Sequence, residues 1–214
     1  MSLRTANCPN CGAPVEFRWS GAVQTTCSFC HSIIVRTDID VRAVGKVADL
    51  PPETSPIMIG TSGVYSGKSF VVTGRILYEY ELGGWNEWHI VIDGGASAWL
   101  ADAQLEYDIS VLTQAPFAFP PPDQIQRSQN FHIGNHNYQV TSMTRAHYRG
   151  VEGELPFQYW DKADVIFADL RTTTGDFGTI DYSENPPLLF TGRAVPFDDL
   201  HLKNLRTFEG WTAA

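Results

Sequence analysis

A chain of 214 residues, 43% of them hydrophobic, is long enough to bury a sizeable core and suggests one or two domains. No stretch approaches the roughly eighteen apolar residues of a membrane span, and no basic-then-apolar signal opens the chain, so a soluble, cytoplasmic protein without membrane insertion is expected. The net charge is −9 and unevenly spread: residues 1–50 hold five Lys/Arg against four Asp/Glu, whereas residues 51–214 hold ten against twenty, and so acidic a body repels phosphate backbones and makes nucleic-acid binding unlikely.

All four cysteines lie near the N-terminus, in two C-x-x-C pairs, Cys8/Cys11 and Cys27/Cys30, separated by fifteen residues. That spacing reads as a structural zinc site, because each tight turn presents two thiolates on one side and two facing turns complete a tetrahedral sulfur shell. Gly12 follows the first pair where such a turn can require positive φ, and His31 holds the matching place after the second. Disulfides are disfavoured by the absence of a secretory signal, and redox chemistry by the absence of a βαβ pattern. Four thiolates leave no open coordination position, so the expected cofactor is one structural Zn2+ that folds the segment and does no chemistry.

In chain order, residues 1–50 form the zinc ribbon and a connecting strand. Val15, Phe17 and Trp19 alternate, Gly21 turns the chain and Ile33, Ile34 and Val35 return, which predicts a two-strand finger. Leu50 to Pro56, with three prolines, reads as a linker. A first β unit covers 51–122, with strands over 69–81, 85–93, 97–103 and 107–112; Gly74 marks a bulge or bend in the first of these. A second unit, packed on the first, covers 123–214, with strands over 138–148, 165–171, 177–182 and 188–194 and a short helical turn near 196–200. Phe70-Val71-Val72-Thr73 and Tyr138-Gln139-Val140-Thr141 align at an offset of 68, which points to an internal duplication. The fold class is mainly β: the N-terminal zinc ribbon followed by two related small antiparallel halves, barrel-like or sandwich-like.

The succession Thr73-Gly74-Arg75-Ile76-Leu77-Tyr78, Trp85-Asn86-Glu87-Trp88 and Ala98-Trp99-Leu100 resembles the bacterial domain-of-unknown-function family 4178, whose members often stand next to a zinc ribbon. Glu152-Gly153-Glu154-Leu155-Pro156 and Thr179-Ile180-Asp181-Tyr182-Ser183 are similar to the second half of that family. The resemblance implies an uncharacterised bacterial protein with no catalytic residues to carry over, working in an assembly that can be membrane-associated.

Glu87 and His89 lie two apart on one strand face, where they could act as an acid–base pair; ordinary alternation favours a solvated strand face. His132 and His136 have helical metal-pair spacing around a Gly-containing turn, so polar loop positions are favoured. Glu152, Glu154, Asp161 and Asp164 read as a solvated acidic loop without a calcium-loop pattern. No nucleophile elbow, phosphate-cradling loop or dinucleotide fingerprint is present. Trp85, Trp88, Trp99, Tyr159 and Trp160 should be mainly core, with Trp85 the most exposed. The candidate binding surface is Trp85, Glu87, His89 and Trp160. The expected function is that of a non-catalytic zinc-containing binding or scaffold protein with protein partners. The alternatives are a small-ligand binder or enzyme with a pocket between the β units, lined by Glu87, His89 or Asp181, and weak nucleic-acid binding through the ribbon.

Overall fold

Alternation of apolar and polar residues produces strands almost throughout the computed structural model, which describes residues 4–37, 41–47, 55–158 and 164–207. In the ribbon, β1 (Arg4–Asn7) pairs with β2 (Pro14–Phe17), and β3 (Gln24–Thr26), β4 (Ser32–Arg36) and β5 (Val41–Lys46) form a three-stranded sheet. The expected two-strand finger is therefore two small sheets. Each C-x-x-C turn closes its own hairpin, β1–β2 or β3–β4, so each pair of thiols needs two strands to hold it. Val15, Phe17, Ala22 and Ile34 pack with Cys8 and Cys27 in a core of their own.

The remaining strands are β6 (Ser62–Tyr65), β7 (Lys68–Tyr80), β8 (Gly83–Ile92), β9 (Ala96–Ala103), β10 (Glu106–Thr113), β11 (Asn130–Ile133), β12 (His136–Gly153), β13 (Asp164–Arg171), β14 (Asp176–Asp181) and β15 (Leu188–Ala194). They share one sheet. β7–β10 and β12–β15 are antiparallel meanders, joined at one seam by β10–β15 and at the other by β7–β12, which closes an eight-stranded barrel. The two halves anticipated from sequence are thus two sides of one barrel wall.

The halves repeat each other in register. β6 and β11 begin 68 residues apart, as do β7 and β12. The bonds Gly60 N–H to Val72 O (2.9 Å) and Val72 N–H to Thr61 O (2.8 Å) recur as Ser128 N–H to Val140 O (2.9 Å) and Val140 N–H to Gln129 O (2.8 Å). β7 bulges between Val72 and Gly74, and β12 between Val140 and Ser142, at the matching threonines Thr73 and Thr141. Glu79 faces His147, its own equivalent, across the β7–β12 seam. An approximate two-fold axis relates the halves.

The bulges decide which side chains face inward, because one extra residue flips the alternation. Before the bulge Phe70 and Val72 face outward; after it Ile76 and Tyr78 face the lumen. The outer face is the better packed. Phe70, Val72, Trp88, Ile90 and Leu100 lie beneath a strap carrying Ile57 and Leu200, and Val140, Leu170, Ile180 and Leu189 lie beneath one carrying Phe119, Ile125 and Phe131. The proline-rich break at 116–122 and the 3-10 turn Phe197–Leu200 belong to these straps.

The ribbon docks on the barrel where β12 ends. Val23 and Gln24 donate their N–H groups to Leu155 O (2.9 and 3.2 Å), and Leu155 N–H returns to Gln24 O (2.9 Å). Ile33 of β4 joins Ile76, Tyr148, Val151 and Leu155 in one apolar cluster.

Candidate metal centre and barrel cavity

The two cysteine turns are near copies. Gly12 N–H donates to Cys8 O (2.8 Å) and His31 N–H to Cys27 O (3.0 Å), while Cys8 N–H and Cys27 N–H donate to Ala13 O (2.8 Å) and Ser32 O (2.9 Å). Gly12 and His31 take the left-handed backbone expected of them, φ +76° and +56°. The four Sγ atoms lie within 4.8 Å of one another. Cys8 and Cys30 sulfurs are 3.7 Å apart, as are those of Cys11 and Cys27. A tetrahedral ion with metal–sulfur bonds of about 2.3 Å sets its sulfurs about 3.8 Å apart, whereas a disulfide needs about 2.05 Å. The donor set therefore fits one metal ion. Hydrogen bonds from the Ser32 hydroxyl and the Asn10 side chain lower Cys30 to about 5, while the neighbouring Cys30 sulfur raises Cys11 to about 12.

A second feature lies inside the barrel. A cavity of about 60 Å³ is lined by residues from seven of the eight barrel strands, among them Ile76, Tyr78, Glu87, Trp99, Phe167, Asp181 and Phe190, with Phe157 from beyond β12. The solvated strand face expected for Glu87 and His89 is instead the inner face of this barrel. Trp85, expected at an exposed rim, also turns inward: it stacks on Tyr78 (ring centroids 5.0 Å) and meets Phe167 edge-on (5.6 Å). Its Nε1–H donates to Glu87 Oε1 (3.0 Å). Burial is the largest influence on Glu87 and pushes its carboxyl up to about 8, with Asp169, Asp108 and Asp181 adding negative field. What surface Glu87 keeps faces the cavity. Burial also raises Asp181.

His89 is fully buried. Its Nδ1 lies 2.7 Å from the Thr73 hydroxyl and its Nε2 2.8 Å from the Ser97 hydroxyl, and its ring packs between Trp19 of the ribbon and Trp99. Burial depresses it to about 4, so the imidazole is neutral at ordinary pH. Trp160, Tyr159 and Asp161 lie outside the described residues.

The native Glu87 holds its proton over a range where the unfolded chain has released it, so its own contribution to stability falls as pH rises from about 4.5 to about 8 and is level above that, while the buried His89 contributes in the opposite sense between about 4 and 6.5. Glu87→Gln, which mimics the protonated acid, should be more stable than wild type at pH 9, by on the order of 2 kcal/mol once water in the cavity is allowed for. The gain should vanish near pH 4.5. Denaturant melts of both proteins at the two pH values measure it; no gain at pH 9 would place Glu87 in contact with bulk water.

Of the acids read as solvated, Asp164 is exposed as expected, whereas Glu152 and Glu154 are structural. Glu154 is 5% exposed, and its carboxylate accepts Arg18 N–H (2.7 Å) and Trp19 N–H (2.8 Å), tying ribbon to barrel. Glu152 pairs with Arg75 (3.1 Å), which is itself buried, donates to Asn86 (2.8 Å) and lies over the Trp88 ring (4.9 Å). Gly74 permits this approach, because a Cβ there would stand 2.0 Å from Glu154 O. Glu154 and Gly74 are linked by no local pattern, and only the close glycine hinted at it. His136, half exposed, pairs with the buried Asp176 (3.1 Å), while His132 lies opposite Asn137 in the β11–β12 hairpin.

Fold and site together define a strap-covered β-barrel built from two matched halves and capped by a four-cysteine module able to hold a metal. The chain belongs to the family described as Domain of unknown function (DUF4178), whose model matches residues 58–197. The matched span contains the Gly74–Tyr78, Trp85–Trp88 and Trp99–Leu100 segments that surround the cavity, while the cysteines lie outside it. No curated protein and no solved structure matches the chain.

Proposed function

We propose that the protein is a non-catalytic, zinc-containing binding or scaffold protein that docks a protein partner through its ribbon, in a bacterial, cytoplasmic assembly. Four thiolates at tetrahedral spacing suit Zn2+, which has no geometric demand that this shell fails to meet. The cysteines are then committed to the ion, and the buried His89 is committed to Thr73 and Ser97, so neither serves as nucleophile or base. Among the described residues no helix is long and apolar enough to cross a membrane.

The observation that carries the docking role is Phe29. It sits between the ligands Cys27 and Cys30 and is 68% exposed. A turn clamped at both sides by metal presents this ring rigidly, with little entropy left to lose on binding, which is the character of an interface anchor. Phe29→Ala should retain one zinc and the wild-type melting temperature. In parallel capture experiments from bacterial lysate it should recover the wild-type partners at least about tenfold less efficiently, the loss expected of one anchor residue. Recovery of the same partners in the same amounts would refute docking through the ribbon.

A further inference from the structure

We infer that the barrel lumen is a binding site for a small alkylammonium cation, held by the Glu87 carboxylate inside a box of aromatic rings. This goes beyond protein docking and does not depend on Phe29.

The walls are aromatic: Trp99 stacks with Phe157 (ring centroids 5.7 Å) and Tyr78 meets Phe167 edge-on (5.1 Å), with Glu87 and Asp181 set among them. Ring faces carry negative charge density and attract cations, most strongly when water is excluded. No lysine or arginine lines the cavity among the described residues. The nearby Arg171 is already committed, donating through both terminal nitrogens to Asp108 (2.8 and 3.0 Å). Asp169 is held by the Ser142 and Thr179 hydroxyls (2.6 and 2.9 Å), and Asp181 by Ser183 N–H (2.7 Å). Glu87 differs. Oε1 accepts the Trp85 indole N–H, and Oε2 has no partner among the described residues. That oxygen is open to the cavity, and a cation in the adjacent space would meet its charge where ring walls exclude most water.

Size and chemistry narrow the ligand. At about 10–15 Å³ per water by the same measure, the cavity has room for several waters or an organic ion with about as many non-hydrogen atoms. Ca2+ or Mg2+ needs six or more oxygens, and Zn2+ prefers sulfur or nitrogen donors, neither of which two carboxylates among aromatic rings supply. An anion would be repelled, and a neutral apolar molecule would leave Glu87 without a partner.

The zinc-loaded full chain can be titrated calorimetrically with tert-butylammonium chloride, and separately with tert-butanol, a neutral donor of the same size, so that charge alone distinguishes the two. The proposal expects saturable binding of one cation and none of tert-butanol. Affinity should fall at least about tenfold in Glu87→Gln, which the pH–stability argument expects to fold well. Because the cation requires ionised Glu87, with Asp108, Asp169 and Asp181 as its charged neighbours, affinity should also drop about tenfold per pH unit below pH 8. Absence of saturable cation binding, unchanged affinity in Glu87→Gln, or equal binding of tert-butanol would each overturn it.

Discussion

Removal of the metal with a strong chelator should unfold β1–β5 and leave the eight-stranded barrel folded. The ribbon core consists of a few side chains around Val15, Phe17 and Ile34 together with two of the cysteines, too little apolar area to offset the entropy of ordering the segment. Metal binding, about 10–16 kcal/mol in comparable peptides, must supply the difference. The barrel has two apolar layers of its own beneath the straps, and neither includes a ribbon residue. Hydrogen exchange should therefore show protection lost over residues 4–36 and kept over β7 and β12. Protection retained throughout after complete metal loss would show that packing alone folds the ribbon.

Glu154→Ala should destabilise ribbon docking by about 3–5 kcal/mol. The substitution leaves the amides of Arg18 and Trp19 without their acceptor at a buried junction, and hydrogen bonds to a charged group are worth about 1.5–3 kcal/mol each. Glu154→Gln keeps one acceptor oxygen and should lose roughly half as much. Amide exchange at Arg18 and Trp19, followed with urea melts, separates the clamp from a general effect. A change under about 1 kcal/mol, with both amides still protected, would mean that the Leu155–Gln24 backbone pairing carries the junction alone.

Features fixed by neighbours in the chain were legible in sequence. Cys-x-x-Cys spacing reports a turn a few residues long, and strand alternation reports a pleat, so the gathering of four cysteines that could hold a metal and strands such as β15 lie where the sequence places them. The offset of 68 between Phe70–Thr73 and Tyr138–Thr141 was a faint signal, and it matches the repeated bulges and bonds. Features made by distant pairings were not legible. Closure through β7–β12 and β10–β15 leaves no local mark. Glu87 and His89 alternate with Trp88 and Ile90 as residues facing water would, and along this one strand polar side chains turned into the barrel yield the same pattern as a solvated face. Glu154 looked like one acid among several, because its partners are backbone amides more than 130 residues away.

Native mass spectrometry of the intact chain tests the central claim most directly, namely that one ion held by Cys8, Cys11, Cys27 and Cys30 organises the cap on the barrel. The expected mass exceeds the apo-protein by one zinc, with the thiol protons displaced, and the increment should be absent from Cys11→Ser. A mass lower than the reduced chain by the hydrogens of two disulfides, or less than one zinc per chain, would contradict it.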